Sequence, residues 1–432
     1  MSRFAGCKNN KLHIVSDQPF AHPEYIVVEI PDYLHNISNV DLITDYKVRN
    51  STIVKKKQSK PANELKIAFV GNWKMRCGIS TYSENLLPHI AKNVQDIKLF
   101  IEENDEVTGP IHQLDDLTLS DSKVFTCWKR GGSNKSLIAA IKEYDPDIVW
   151  IQHEFGLWSN ARYWLAMMNQ LSEFRVIVTM HSVFHHQDKT IVEAAMPEII
   201  VHLDGAKKLL KEEKGIPGKV HVIPHGCYDL KNKTRLWNFY KSDRTFVQFG
   251  YLFKYKSWEN SLYATALLKE KYPDVFFTGL CSESPFAHAE HEVYYNELME
   301  LIKNLDIEEN VALIRGYQSD QSLDSFLRTN QVAVFPYISH PEHEVFGASG
   351  AARLAMSKGI PVITSSVNHF SDLCTIKADT PQQIANELEK LFGNWSVIQE
   401  QVDKQYQYIE ENSWEKVAQK HLHIFENNDL TT

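Results

Sequence analysis

Two glycine-bearing loops in the sequence each lead into a predicted helix start, where backbone N–H groups can bind an anion. The first loop spans residues 71–81 and contains Gly78, which lets a ligand approach the backbone closely. The second loop, residues 347–351 (GASGA), contains Ser349, which can cap the helix and donate to a phosphate oxygen. Unpaired N–H groups and the helix dipole favour a ligand such as a diphosphate.

Two lysines follow a predicted strand in the second half of the chain. Lys254 and Lys256 stand in the segment 249–258, FGYLFKYKSW, between that strand and the next helix. Flexible ammonium groups at this place would neutralise the charge that develops on a leaving nucleotide. We expect both lysines to bind a phosphate-bearing donor.

Histidines and a glutamate stand at the ends of further predicted strands. His153 and Glu154 follow one strand, His181 ends the next, and His225 ends a third. In a parallel sheet these positions lie at the edge where ligands bind, so we expect these side chains to face a crevice. Glu344, just before the second glycine loop, could accept hydrogen bonds from sugar hydroxyls.

Other kinds of site receive less support from the sequence. The first loop is neither GxGxxG nor a Walker sequence, which disfavours nicotinamide and P-loop nucleotide sites. His340, His343 and Glu344, which stand together in one short segment, could ligate a metal. No additional ligand site has a helical or hairpin spacing that would complete the set, and we expect no metal. We expect the HAEH segment, which ends at His291, to lie on a solvated helix surface.

The elements that position these residues form two series of short apolar runs separated by helical periods. Continuous apolar strands joined by helices predict parallel sheets covered on both faces. The fold class is therefore α/β, with two Rossmann-like, doubly wound parallel-sheet domains facing a cleft. The predicted strands are 66–71, 97–101, 147–152, 175–180, 199–202 and 220–224 in the first series, and 244–250, 274–279, 311–316, 331–336 and 360–364 in the second.

Helix starts and domain limits can also be predicted. Capping-box patterns stand at 81–84 and 380–383, and a last amphipathic helix is expected within 410–430. We predict an extension at 1–65 with one strand at 25–30, a first domain at 66–235 on which the last helix packs, and a second domain at 240–405. The polar stretch 228–243 is expected to link the domains.

Composition excludes several classes of protein. The 432 residues allow two or three domains, and the 43% hydrophobic content excludes a wholly disordered chain. No apolar run is long enough for a membrane span, and no secretory signal is evident. The six cysteines are scattered singly, which fits a reducing, cytoplasmic location. A net charge of −9 disfavours a surface that follows nucleic acid throughout. The basic stretch 47–66 could be a solvated linker or hairpin, or a contact for a phosphate-bearing acceptor or an anionic membrane.

The order and spacing of six segments resemble glycosyltransferase family 4, the retaining nucleotide-sugar transferases of GT-B fold. The resemblance covers residues 65–375 and the closing helix. It implies transfer of a sugar from a nucleoside-diphosphate sugar to an acceptor hydroxyl, with no metal or other cofactor. The segments are CGISTYSENLL, WIQHEFGLW, VTMHSV, VIPHG, FGYLFKYKSWENS and FGASGAARLAMSKGIPVIT.

The resemblance also implies roles for individual residues. His181 matches a histidine near the donor sugar's 6-hydroxyl, Lys256 a lysine that pairs with the diphosphate, and Glu344 a glutamate that contacts the sugar's 3- and 4-hydroxyls. These three are the expected catalytic residues. The resemblance assigns donor binding to Gly78, Lys256, Ser349, Gly350 and Ala351. Positions at strand ends add Lys254 to the donor side and predict His153, Glu154 and His225 on the acceptor side.

The chain departs from the family pattern at two places. Tyr251 stands where the family usually has arginine beside glycine. The second glutamate, usually eight residues after the first, is absent, because Ala352 is eight residues beyond Glu344 and the loop is two residues longer. We expect the leaving phosphate itself to take the proton of the acceptor hydroxyl.

The sequence is compatible with several acceptors. A surface polysaccharide or lipid-linked glycan is the first expectation, with peripheral membrane contact allowed. A hydroxymethylated base in DNA is a rarer option. A non-catalytic sugar-binding module and a sugar-nucleotide epimerase are further alternatives.

Overall fold

The computed structural model describes residues 3–8, 11–15, 26–29, 60–103, 123–186, 198–216, 218–228, 244–284, 288–339 and 344–426. The chain divides into two compact units, Met1–Lys56 and Lys57–Thr432. In the first unit, three antiparallel strands pair in the order β1-β2-β3. They are β1 (Arg3–Lys8), β2 (Lys11–Val15) and β3 (Ile26–Glu29), the last of which confirms the strand predicted at 25–30.

The second unit contains two lobes, and the first lobe is built on a seven-stranded parallel sheet. Its strands are rich in β-branched and aromatic residues, and every residue of Ile148–His153 is buried. Strands of the first lobe are β4 (Lys66–Gly71), β5 (Asp96–Glu102), β6 (Val124–Trp128), β7 (Ile148–His153), β8 (Arg175–Met180), β9 (Ser182–Phe184), β10 (Glu198–Val201) and β11 (Val220–Val222). The sheet order is β11-β10-β8-β7-β4-β5-β6, and β9 lies outside it.

The second lobe contains a six-stranded parallel sheet. Its strands are β12 (Thr245–Tyr251), β13 (Phe276–Ser282), β14 (Val311–Arg315), β15 (Val332–Phe335), β16 (Val345–Gly347), β17 (Val362–Thr364) and β18 (Ile376–Lys377). The order is β14-β13-β12-β15-β17-β18, with β16 outside the sheet. Two parallel-sheet α/β lobes confirm the predicted fold class.

Helices connect the strands and cover the sheets. They are α1 (Gly78–Ala91), α2 (Lys135–Tyr144), α3 (Ala161–Gln170), α4 (Asp204–Lys208), α5 (Trp258–Lys269), α6 (His288–Asn304), α7 (Asp320–Thr329), α8 (Gly350–Ser357), α9 (Pro381–Leu391), α10 (Trp395–Glu411) and α11 (Trp414–Phe425). The last helix, α11, returns to the first lobe and packs against α1. Trp414 and Phe425 lie in the same core as Phe69 and Trp150 of the first sheet. Among the residues placed by the structure, no helix is long and apolar enough to cross a membrane.

A short antiparallel pair joins the two lobes. Strand β9 follows β8 of the first sheet, and β16 precedes α8 of the second lobe, so that Ser182 pairs with Gly347 and Val183 with Phe346. Phe346 also packs where Gly205 of α4 leaves room, since a Cβ on that glycine would lie 2.4 Å from the ring. The ends of the two lobes that carry the predicted site are therefore held together.

The prediction for the start of α1 is wrong. The first capping box was expected at 81–84, but α1 begins at Gly78 and Cys77 caps it by accepting from the Ser80 N–H. The Ser80 hydroxyl already makes two hydrogen bonds, since it accepts from Met75 N and donates to Glu84. The capping box at Thr380 is confirmed.

His291 was expected in solvent, but its ring is fully buried. It accepts from the Ser284 N–H and meets the Phe253 ring edge-on at 4.9 Å. The predicted linker 228–243 lies, except for residue 228, outside the described residues, as do residues 47–59 of the basic stretch.

Candidate active site

Lys256 is a buried cation at the carboxyl end of the second sheet. It stands in the 3₁₀ turn Lys254–Lys256 that follows β12, with only 7% of its surface exposed. Its Nζ lies over Gly250, whose missing side chain makes the room, because a Cβ there would come within 2.5 Å of Nζ. Buried Gln248 fixes the turn by donating to the Lys256 carbonyl at 3.0 Å.

Aromatic rings, rather than carboxylates, surround the Lys256 ammonium. Its Nζ lies 5.3 Å from the centroid of the Tyr337 ring and 6.0 Å from that of Tyr255. Burial lowers the pKa of Lys256. Within the described ranges no Asp or Glu pairs with it, whereas buried ammonium groups are usually paired. A buried cation without a counter-ion is suited to bind an anion.

The start of α8 lies in the same lobe and contacts the first. Ser349 caps the helix through its hydroxyl, which accepts from Ala352 N, as predicted for this residue. Gly350 begins the helix, and the imidazole of His225 from the first lobe lies 3.6 Å from where its Cβ would be. His225 thus faces the N-terminal turn that carries Ala351, although its own Nδ1 is bonded to the Gly226 carbonyl.

Glu344 is placed next to β16 by a hydrogen bond from Asn368. The Asn368 amide donates to the Glu344 carboxylate at 2.7 Å. Asn368 belongs to the turn Asn368–Phe370, against which β16 packs. In the same turn His369 stacks on Tyr255 at 5.7 Å, which brings the turn to the surroundings of Lys256.

His181 holds its ring inside the first lobe at the carboxyl end of β8. Its Nε2 lies 3.0 Å from the Gln152 side chain and its Nδ1 lies 3.4 Å from His202 Nε2. Burial, followed by the neighbouring histidines, lowers the pKa of His181 well below its usual value. Its backbone carbonyl faces the second lobe, 3.1 Å from the position that a Cβ on Gly347 would take.

The residues expected on the acceptor side are placed differently from one another. His153 is 2% exposed, its ring packs against Phe155 and Trp164, and burial lowers its pKa to about 3. Glu154 is only partly covered, and it accepts hydrogen bonds from the Ser182 hydroxyl at 2.7 Å and from Phe155 N at 3.1 Å.

The loop around Gly78 meets the second lobe through Tyr251. The Tyr251 hydroxyl donates to the Arg76 carbonyl at 2.6 Å, and the Arg76 guanidinium lies 5.1 Å from the centre of the Tyr317 ring. Gly78 is exposed at the first position of α1, with no atom within 4 Å of a Cβ built on it. Tyr251 thus connects the two lobes.

Lys254 does not share the surroundings of Lys256. Its side chain is 65% exposed, and its ammonium pairs with Glu297 on α6 at 2.8 Å. His340 and His343 lie outside the described residues, and among the residues that the structure describes no cluster of His, Cys, Asp or Glu could hold a metal ion.

Several residues of the site have no strong signal in the sequence. His202 and Arg353 become visible only through their partners: Arg353 donates to the carbonyls of His225 and Ser349 and pairs with Asp372. For Tyr255, the only signal in the sequence is its position next to Lys256. A polar residue within an apolar run, as in IIVH at 199–202, is the signal that could have found His202.

Comparisons with known proteins agree with this architecture. Residues 231–419 match the family model described as Glycosyl transferases group 1. A glycosyltransferase from Rickettsia africae has 14% identity and a TM-score of 0.64, covering 84% of this chain and 98% of that one. Sucrose-phosphate synthase from Thermosynechococcus elongatus has 15% identity and a TM-score of 0.62, covering 84% and 99%. Anabaena HepE in complex with UDP has 12% identity and a TM-score of 0.60, covering 84% and 100%.

The fold is that of the GT-B glycosyltransferases. The structural matches extend over both lobes, whereas the family model covers the second lobe and the returning helices. No curated protein matches the sequence.

Proposed function

We propose that this protein is a retaining glycosyltransferase that moves a sugar from a nucleoside-diphosphate sugar to an acceptor hydroxyl. The observation that carries the proposal is Lys256, a buried ammonium without a carboxylate partner in the described residues, at the strand end of the second lobe. The match to a glycosyltransferase family model over residues 231–419 supports it, as does a neighbour of the same fold whose complex contains UDP.

The donor occupies the second lobe in this proposal. Lys256 and the N-terminal turn of α8, with Ser349, Gly350 and Ala351, bind the diphosphate, and Glu344 binds hydroxyls of the sugar. Positive charge and backbone N–H groups stabilise the diphosphate as the bond to the anomeric carbon breaks. They do so without a metal ion or a cofactor. Gly78 at the start of α1 faces the same charge from the first lobe, and Lys254 contributes from the surface.

The acceptor binds on the first lobe, where Glu154, His153 and His225 follow the strand ends. His181 lies beside the anomeric carbon, and the β9–β16 pair keeps the two lobes closed around it. Closure excludes water, which would otherwise compete with the acceptor hydroxyl. The proton of the acceptor hydroxyl passes to the leaving phosphate. The acceptor is a surface polysaccharide or a lipid-linked glycan, reached from the cytoplasm.

DNA is the second candidate acceptor because of the basic stretch 47–66. The described part of this stretch is engaged within the lobe: Lys60 pairs with Asp147 at 2.8 Å, and Lys66 donates to the Tyr144 carbonyl at 2.8 Å. These contacts favour a glycan over DNA. Binding of duplex DNA would weaken steeply with salt, so a gel shift at two salt concentrations separates the candidates.

A panel of UDP, GDP, ADP and their sugars, followed by thermal unfolding, tests the proposal. A true donor raises the melting temperature by mass action, and release of the nucleoside diphosphate then reports turnover. Lys256→Ala should abolish both effects, while Lys269→Ala, which alters a half-exposed lysine paired with Asp306, should retain them. Absence of a shift with every nucleotide would contradict the proposal. Binding with no release of product would favour the non-catalytic module.

A further inference from the structure

Hydrogen bonds to side chains hold the loop before α1 to the helix itself. Ser80, in the first turn of α1, accepts from Met75 N at 2.9 Å and donates to the Glu84 carboxylate at 2.6 Å. Glu84 also accepts from Lys74 N at 3.2 Å. Lys74 has a φ of +52°, in the left-handed region where a residue with a side chain is strained, so these contacts keep the loop in a shape that it would not adopt alone. The loop and the start of α1 therefore form one rigid piece.

Tyr251 bonds to this piece of the first lobe from the second lobe. The loop bends tightly at Arg76, because Cys77 N donates to the Met75 carbonyl at 2.8 Å. The Arg76 carbonyl at this bend accepts from the Tyr251 hydroxyl at 2.6 Å, which is the distance of a well-formed O–H···O hydrogen bond. Since the loop fixes the carbonyl, the bond sets the position of the start of α1 relative to Tyr251.

The same tyrosine stands at the strand end that carries the buried cation. Tyr251 is the last residue of β12 and follows Gly250, over which the Lys256 ammonium lies. Its hydrogen bond therefore joins the start of α1 to the surroundings of Lys256. The bend makes a second contact with this lobe, since the Arg76 guanidinium lies 5.1 Å from the centre of the Tyr317 ring, two residues beyond β14.

This bond joins the lobes without belonging to the core of either one. The first lobe packs around residues such as Phe69 and Trp150, and the second around residues such as Phe246 and Phe277. Tyr251 is half-buried at the end of its strand, and its hydroxyl reaches out of its own lobe. Removal of the hydroxyl should therefore leave both lobes folded and change only how they are held together.

We propose that Tyr251 is a positioning residue, which holds the N-terminal turn of α1 against the diphosphate that Lys256 binds. The first N–H groups of a helix have no partner within it and carry partial positive charge. The diphosphate gains negative charge as the bond to the anomeric carbon breaks, so a helix start held in place stabilises the transition state more than the bound donor. This inference rests on the proposed function and adds a residue that acts through the α1 loop without touching the donor.

Calorimetry on the full-length protein tests this role with UDP, GDP and ADP and with UDP-glucose, GDP-mannose and ADP-glucose. The free nucleoside diphosphate carries the charge of the departed leaving group, whereas the nucleotide sugar does not. With the base that binds the wild type most tightly, Tyr251→Phe should weaken binding of the diphosphate about fivefold, the effect expected of one hydrogen bond, and binding of the nucleotide sugar less than about twofold.

The rate of diphosphate release provides a second measurement. Tyr251→Phe should lower kcat about fivefold and change KM for the donor less than about twofold. Loss of an interaction made in the transition state lowers kcat and kcat/KM alike, whereas loss of donor binding would raise KM.

Tyr272→Phe is the matched control. It removes a hydroxyl that donates to Glu389 at 3.0 Å within the second lobe, and should leave both affinities and kcat unchanged. A lower melting temperature of free Tyr251→Phe, or an equal loss of affinity for the diphosphate and the nucleotide sugar, would assign Tyr251 a structural role and overturn the inference. So would a Tyr251→Phe variant with the kcat of the wild type. A wild type that binds no nucleotide, or that releases no diphosphate from any of the three sugars, would instead overturn the proposed function.

Discussion

His181 Nδ1 lies 3.4 Å from His202 Nε2, and the acceptors on either side determine where the protons sit. His202 Nδ1 lies 3.0 Å from the Ile223 carbonyl, which can only accept, so this nitrogen carries the hydrogen. Burial lowers the pKa of His202 to about 4, and the neutral ring therefore has a lone pair at Nε2. His181 must donate to it from Nδ1, which leaves a lone pair at His181 Nε2 facing Gln152.

The orientation of the Gln152 amide follows from the positions of the hydrogens on His202 and His181. As placed, its Oε1 faces His181 Nε2, while its own Nε2 is buried and has no partner. Turning the amide over lets the Gln152 N–H donate to His181, which is the assignment that the two neutral rings require. Gln152 and His202 together fix the orientation of the His181 ring, and the backbone carbonyl of His181 faces the second lobe.

The neutral histidines predict a loss of stability in mild acid. Between pH 6.5 and about 4 the unfolded chain binds a proton at His202 that the folded chain does not, so the free energy of unfolding falls as the pH falls. Each such histidine contributes about 1.4 kcal/mol per pH unit in this window. Urea unfolding of wild type and His202→Gln between pH 7 and 5 should show a slope that is smaller by about this amount in the variant. A slope in His202→Gln equal to that of the wild type would contradict the assignment.

Much of the fold could be predicted because the strands are buried on both faces. Runs such as KIAFVG and DIVWIQ are apolar throughout, and the structure has strands at Lys66–Gly71 and Ile148–His153. Strand β6, with the sequence VFTCW, was missed because two of its five residues are exposed and the run is not continuously apolar. The start of α1 was misplaced because Ser80 and Glu84 bond to each other and to the loop, which leaves the cap to Cys77.

The candidate site could be predicted only in part, since its residues come from distant segments. Lys256 and Ser349 follow from their places at a strand end and a helix start. The pairing of Ser182 with Gly347 depends on how two lobes meet, and a single short strand such as VFG carries no signal for its partner. His202 and Arg353 were missed because a polar residue in an apolar run does not show which buried group it satisfies.

Lys256 and Lys254 should differ sharply in their effect on donor use. Lys256 is buried beside Gly250, whereas Lys254 is exposed and pairs with Glu297. Loss of a buried cation that stabilises a developing charge costs about 100-fold or more in turnover. Lys256→Ala should show this loss of nucleotide release, and Lys254→Ala should lower it less than threefold. Similar losses in both variants would contradict the separation seen in the structure.

Gly250→Ala provides an independent check on the position of Lys256. The new Cβ would lie 2.5 Å from Nζ, and the φ of +134° is strained for any other residue. The ammonium must move, so the affinity for the nucleoside diphosphate, measured by calorimetry, should fall at least tenfold. Gly156→Ala, at a glycine with no atom within 4 Å of its Cβ, is the matched control. Unchanged affinity in Gly250→Ala would show that Nζ is not needed there.

Helix α11 packs through Trp414 against Gly226, and this packing requires that residue 226 has no side chain. A Cβ on Gly226 would lie 2.2 Å from the Trp414 ring, which is 5% exposed in the core of the first lobe. Overpacking of this kind costs roughly 1–3 kcal/mol. Gly226→Ala should therefore lower the melting temperature and expose α11 to limited proteolysis. A variant with wild-type melting and proteolysis would mean that α11 is not held by this contact.

Arg353 should be among the most sensitive positions for stability because it is a buried charge that spans the lobes. It is 1% exposed, pairs with Asp372, and donates to the carbonyl of His225 at 3.2 Å and of Ser349 at 3.0 Å. Arg353→Met removes the cation together with its hydrogen bonds to the two carbonyls and its ion pair with Asp372, which costs about 3–5 kcal/mol for a buried pair. Arg315→Met, at a more exposed arginine paired with Glu283 and Glu292, should cost at most about 1 kcal/mol. Urea unfolding measures both, and an equal cost for the two would contradict the role of Arg353. Because its guanidinium bonds to the residue that faces α8, the loss should also loosen His225 against Gly350 and weaken binding of the nucleotide.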